Sequence, residues 1–429
     1  VLETKTDRKG WFITIIGTLF LFYSALQTHL MTSLHGELIK AFDTTTAKVS
    51  ILSAWGFYAN VLTLLPAGLL LDRFSVKKLM LINLAIAIFG TLVFAFANVL
   101  LVASIGRFLC GAMMSFGFIA CLKLASYHLP PKEMGRAAAV IVSIGMMGGV
   151  FAQIVLTAIN GTFGWRVALF SVACVGVLIM FIIGAVLKDT NEEKTLKKAL
   201  KLPIWDGLKE IIKQKQNWLG SFYICFLNLP ISVLGALFGI SYLVNVHHLT
   251  NLQAAGISSM LFIGYIIGSP VFAWVSDKIQ RRKPPMILGA ICCLFFMLVI
   301  LYTPHLSYCL LYLLFFLVGF NSAAQVIGYP VIGENNRPRV MATAMSFAGL
   351  IVAAIGYSLA LPLVGGILDA TLAKFAAHGI EAQGAAFFRA LSIIPLGIFL
   401  GIILSILIKE TRCKPQKGSP YGISQKKIK

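Results

Sequence analysis

Apolar runs of roughly eighteen residues or more recur along this chain. Each is long enough to cross a bilayer core of about 30 Å as a helix. Hydrocarbon offers backbone groups no hydrogen-bond partners, so the runs are expected to be helical. Twelve spans are predicted, at 12–34, 47–71, 78–97, 100–124, 135–159, 166–187, 218–244, 253–276, 284–303, 307–330, 341–366 and 387–408. Composition agrees: 12% of residues are charged, against about 25% in a soluble domain. The predicted class is an all-α, multi-pass membrane protein.

The net charge of +20 would suit nucleic acid, but its distribution excludes that partner. Lysine and arginine gather in the N-terminus, the even-to-odd connections and the C-terminal tail. The opposite side holds Lys40, Lys48, Arg166, Lys374 and Arg389. Basic loops stay cytoplasmic. Both termini are therefore expected inside, facing an anionic inner leaflet, and the bacterial inner membrane is the expected location.

The chain also reads as one unit written twice. Gly68, Asp72, Arg73, Lys77 and Lys78 close the second span. Asp277, Lys278, Arg281, Arg282 and Lys283 close the eighth in the same pattern. Trp165-Arg166 and Phe388-Arg389 each open a final span. Lys188-Asp189-Thr190 and Lys409-Glu410-Thr411 each follow one. Two bundles are expected, at 1–187 and 218–408, with a basic cytoplasmic linker at 188–217 and a basic tail at 409–429. Within the linker, Ile204, Leu208, Ile211 and Ile212 share a helical stripe suited to lying on a membrane surface. Seven of the eight cysteines fall in apolar runs without metal spacing, which reads as packing rather than chemistry. The first span is too long for a signal-peptide core.

Twelve spans, a six-plus-six repeat, a basic middle loop and these paired signatures resemble the major facilitator superfamily. The resemblance implies two pseudo-symmetric six-helix bundles alternating access to a midplane site. It also implies a cytoplasmic gate in which Asp72, Arg73 and Lys77 pair across the halves with Asp277, Lys278 and Arg282. Ser75 and Gln280 stand where the family usually has glycine, and Ala273 replaces the leading glycine, which points to a looser turn. Gly106-Arg107-Phe108-Leu109-Cys110-Gly111 resembles the family's fourth-span arginine motif. The fifth span has Gly148 and Gly149 but lacks the proline of the drug-antiporter pattern. The stretch from Arg107 to Arg166 is also similar to phagosomal-type transporters, which import amino acids into intracellular bacteria.

Charges inside spans cost at least about 2.5–3.5 kcal/mol and so mark function. Arg107 lies inside the fourth span, and Lys123 lies near its inner end, where it contacts either solute or headgroups. No aspartate or glutamate lies well inside any span. The solute is therefore expected to be anionic or zwitterionic, and His29 is the candidate for proton coupling in a symporter. Tyr23, Gln27, Gln153, Asn228, Asn321 and Gln325 are polar groups in spans that line the family's cavity, and with Arg107 they form the candidate binding set. No nucleophile–base pair, metal cluster or phosphate loop is evident, so neither an enzyme nor a cofactor is expected. The function expected is secondary transport of a small carboxylate-bearing metabolite by a monomer. The alternatives are export of a drug or siderophore, and a membrane sensor without transport.

Overall fold

The computed structural model describes residues 8–130, 133–187, 210–303, 305–336, 338–377 and 383–413. Every regular element among them is helical. The chain divides into two compact units. Unit 1 comprises Val1–Thr44 and Ile51–Lys201. Unit 2 comprises Thr45–Ser50 and Leu202–Lys429.

In unit 1 the helices are α1 (Arg8–Ala41), α2 (Thr46–Arg73, of which the first turn, through Ser50, is assigned to unit 2), α3 (Val76–Ala95), α4 (Leu100–Met114), α5 (Gly117–His128), α6 (Met134–Phe163) and α7 (Trp165–Val186). In unit 2 they are α8 (Lys215–Leu227), α9 (Gly239–His247), α10 (Asn251–Ile279), α11 (Lys283–Tyr302), α12 (Tyr308–Ser322), α13 (Gly328–Asn335), α14 (Pro338–Ile351), α15 (Ala360–Ala377), α16 (Gln383–Leu391) and α17 (Ile393–Leu407). A π-helical segment, Pro230–Phe238, joins α8 to α9, and another, Val352–Leu359, joins α14 to α15. A 3-10 segment, Ala323–Ile327, joins α12 to α13.

Eleven helical stretches of the described residues are long and apolar enough to cross a membrane. The remaining predicted span is α2, a 28-residue helix. The helices are apolar nearly all round, as lipid requires: Phe89, Leu101, Phe181, Phe295 and Leu396 are exposed, pointing away from the unit interiors. Inside unit 1, α1 packs along α6, and α3 packs against α4 and α7. Small residues permit the approach. A Cβ at Gly148 of α6 would lie 2.1 Å from the carbonyl oxygen of Phe22 on α1. In unit 2, α10 packs along α12, and α8 against α17.

Most of the 188–217 linker lies outside the described residues, Ile204 and Leu208 among them. At its end a helical turn at 210–213 buries Ile211 and exposes Ile212. The cysteines divide further than packing alone predicts. Cys110, Cys121, Cys225 and Cys293 are buried, whereas Cys174 and Cys309 are exposed on outer faces of their helices.

Candidate functional site

In unit 1 the fold draws Arg107, Tyr23 and Gln27 into one sealed cluster. Arg107, on α4, is 0% exposed. Its Nη1 donates to the carbonyl oxygen of Gln27 on α1 at 2.9 Å. The guanidinium also lies against α2, where Gly56 leaves room: a Cβ there would stand 3.3 Å from Nη2. The α2–α4 contact is tighter one turn on, where a Cβ at Gly111 would fall 1.9 Å from the Gly56 carbonyl oxygen. Arg107 Nε and Nη2 have no hydrogen-bond partner among the described residues. No carboxylate pairs with it there either.

Gln27 completes the cluster. Its amide donates to the Tyr23 hydroxyl at 3.0 Å and to Thr91 on α3 at 2.7 Å, while its Oε1 stays unpartnered among the described residues. Thr91 and the Cys110 sulfur are 3.5 Å apart. Tyr23 runs toward α7, its hydroxyl lying where a Gly176 side chain would stand. Tyr23 and Gln27 thus face α3 and α7, inside the body of unit 1. Gln153 on α6 and His29 on α1 are buried in the same unit. Lys123, on α5, meets the end of another helix. Its Nζ donates to the Leu71 carbonyl at 2.7 Å and caps the last turn of α2.

Unit 2 carries a different cluster, with no charge in it. Gln325 Nε2 donates to Asn228 Oδ1 at 3.1 Å, and Asn228 Nδ2 reaches the Tyr357 hydroxyl at 3.5 Å. Tyr265 of α10 and Tyr329 of α13 are electrostatic neighbours of Tyr357 and of each other. Asn321, expected to join Gln325, instead donates to the Leu317 carbonyl of its own helix. The three tyrosines escaped the sequence reading because tyrosine in a span has no distinctive spacing. The signal that could have found them is Pro230 and Pro330, which interrupt helical hydrogen bonding beside Asn228 and Tyr329.

At the helix ends that carry the paired signatures, the described side chains of the candidate gate residues have partners inside their own units. Lys77 Nζ donates to the Gly184 carbonyl at the end of α7, 2.8 Å away. The side chains of Asp72 and Arg73 lie outside the described residues. In unit 2, Arg282 pairs with Asp277 at 2.7 Å and with Glu334 at 2.6 Å, and Lys278 lies over the Trp274 ring. Glu334 also accepts from the Thr411 hydroxyl. Burial alone pulls the Arg282 guanidinium down. The hydrogen bond and charge of Glu334, then Asp277, outweigh it and leave the pKa above its ordinary value. Glu410 accepts from the backbone N–H groups of Arg282 and Lys283 at 2.9 and 3.0 Å. Burial pushes its carboxyl up, but these backbone donors hold it below the ordinary value.

A profile of the Major Facilitator Superfamily matches residues 12–361. An uncharacterized transporter of Bacillus subtilis, YybO, is 28% identical over 159 residues, 37% of this chain; the match likewise spans only 37% of YybO's length. A probable hexose phosphate transport protein of Chlamydia pneumoniae is 23% identical, covering 80% of this chain and 83% of its own. Among solved structures, a bacterial homolog of the human lysosomal transporter Spinster, inward-facing and unoccupied, aligns at a TM-score of 0.71 with 16% identity. That alignment covers 94% of this chain and 96% of the homolog.

Proposed function

The chain belongs to the Major Facilitator Superfamily, and from that premise of a multi-pass membrane transporter we propose that its solute is a small polar organic anion, an amino acid or an organic acid. The bacterial inner membrane, with both termini inside, is part of the same reading and rests on the basic loops. One observation carries the choice of anion. Arg107 is wholly buried, holds a single hydrogen bond, and lacks a carboxylate among the described residues. Guanidinium stays protonated at any working pH. In a medium of low dielectric its field is weakly screened, so it favours negative solutes and opposes positive ones. Its unpartnered N–H groups suit a carboxylate or phosphate oxygen. The name of the Chlamydia pneumoniae relative supports the reading, since a hexose phosphate is an anion.

The test is binding to purified full-length protein, with each acid compared with its neutral partner: gluconate with glucose, nicotinate with nicotinamide, N-acetylalanine with N-acetylalaninamide. Wild type is expected to prefer the acids. Arg107→Gln should lose about 10- to 100-fold in affinity for them, the worth of a charge-assisted hydrogen bond. Arg107→Lys should recover part of that loss. Neutral probes that bind as well as acids, or acids that bind Arg107→Gln normally, would overturn the proposal.

A further inference from the structure

Nε and Nη2 of Arg107 are the two parallel donors on one edge of the guanidinium. Both lack a partner among the described residues, while Nη1 holds the Gln27 carbonyl. A third unpartnered donor lies on the helix that this edge meets. Ser53 of α2 is 0% exposed, and its hydroxyl has no partner among the described residues.

Helix geometry brings the two side chains together. Ile51 and Trp55 are exposed and mark the outer face of α2. Ser53 and Gly56, three residues apart, share the buried face. Gly56 is the residue against which Nη2 lies. Alternate spans cross in the same direction, so α2 and α4 run parallel. A side chain on α4 leans toward the start of its own helix. Arg107 therefore leans toward the turn of α2 that precedes Gly56, which is the turn of Ser53. The serine hydroxyl is also turned away from its own backbone. Ser50 and Thr63 of the same helix each donate to the carbonyl four residues back, at 2.7 Å, the usual bond of a hydroxyl in a helix interior. Ser53 makes no such bond.

Three donors and one full charge thus meet without a described carboxylate. In unit 1, Glu37 pairs with Lys40, Glu133 accepts from Trp11, and Asp43 stands in the turn after α1. The free acceptor of the cluster, Gln27 Oε1, sits on a side chain tied to Tyr23 and to Thr91 of α3. Water fits this set poorly, since it accepts two hydrogen bonds and has two of its own to give. An anion accepts from all three donors and cancels a charge that is costly to bury alone. Size narrows the class. Arg107 and Ser53 are sealed, and a Cβ at Gly111 would already strike the Gly56 carbonyl, so α2 and α4 leave little room between them. An ion of one atom can share that space with the two side chains; the body of an organic solute cannot.

We infer that Arg107 Nε and Nη2, with the Ser53 hydroxyl, form a binding site for a halide ion such as chloride, which neutralises the guanidinium when no solute acid does so. The ion site stands on unit 1 alone. Its competition with the solute rests on the reading of Arg107 given above.

The experiment titrates full-length protein in detergent with sodium chloride against the sodium salt of the bulky sulfonate Mes, at constant ionic strength. It follows the unfolding midpoint, which a ligand of the folded state raises, and the chloride NMR line, which broadens when the ion visits a site on a large particle. Chloride should raise the midpoint saturably and broaden the line. Ser53→Ala should weaken both responses about tenfold in concentration, the worth of one hydrogen bond to a charge. Arg107→Gln should abolish them. Ser171→Ala removes a hydroxyl bonded to the Ala168 carbonyl of α7 and should change neither. Gluconate or nicotinate should sharpen the broadened line by displacing the ion. A chloride response that survives Ser53→Ala at full strength overturns the site, and so does the absence of a saturable response, whether or not acids bind. A response sensitive to both residues but unmoved by every acid keeps the halide site and overturns the solute reading of Arg107 instead.

Discussion

The loops after α2 and after α10 start from the same charge pattern and become different structures. In unit 1 the cap on the next helix is local. Ser75 is extended, and its hydroxyl accepts from Lys78 N–H. In unit 2 the corresponding residue, Gln280, takes a left-handed conformation with φ 53°. The N-terminus of α11 is capped from afar, by Glu410. One kind of contact recurs. Lys77 and Lys283 each donate to a carbonyl at the end of the last span of their own unit, Gly184 and Ile406. The lysine itself has moved: Lys283 stands one place beyond Arg282, the counterpart of Lys77. The glycine-to-glutamine departure does not loosen the second loop. It keeps the glycine geometry and places an L side chain in it, at a conformational cost.

That difference can be broken by substitution. Glu334→Gln should be the most damaging change, since it leaves the buried Arg282 without its main acid. About 3 kcal/mol is expected, read as a lower unfolding midpoint of the full chain in detergent. Lys77→Met, the counterpart in unit 1, removes one charged hydrogen bond and should cost about 1.5 kcal/mol. Equal losses would mean that the two loops are alike after all. Glycine should act with opposite sign at the two turns. Gln280→Gly relieves the left-handed backbone and should gain about 1 kcal/mol, whereas Ser75→Gly should lose a few tenths. The smallest effect concerns acid. The pKa of Glu410 is depressed in the folded protein, so its stabilisation is present above the ordinary carboxylate value and fades as pH falls through the folded value. Glu410→Gln should therefore flatten the decline of the unfolding midpoint on acidification. A decline of unchanged steepness would assign the acid sensitivity elsewhere.

The spans were legible because lipid imposes length and apolarity together, and few alternatives meet both. Arg107 was legible for the same reason, as a base inside an apolar run. Its partners were not: Tyr23 and Gln27 share a face of α1, but which neighbouring helix that face meets depends on packing. Lys123 illustrates the same limit, since the carbonyl it caps belongs to another helix. Nothing local in the sequence marks Glu334 as the partner of Arg282, 52 positions away. The cluster around Tyr357 was half visible, through Asn228 and Gln325. The rest required knowing that the helices change pitch there.

The docking of Glu410 and Thr411 has a consequence for biogenesis. Arg282 and Glu334 leave the ribosome well before residues 410 and 411 do, and the α11 N-terminus emerges with two of its backbone donors still awaiting Glu410. This end of unit 2 therefore cannot close until the twelfth span has been made. A nascent chain halted after α16 would lack Glu410 and Thr411 and carry an incomplete charge cluster there.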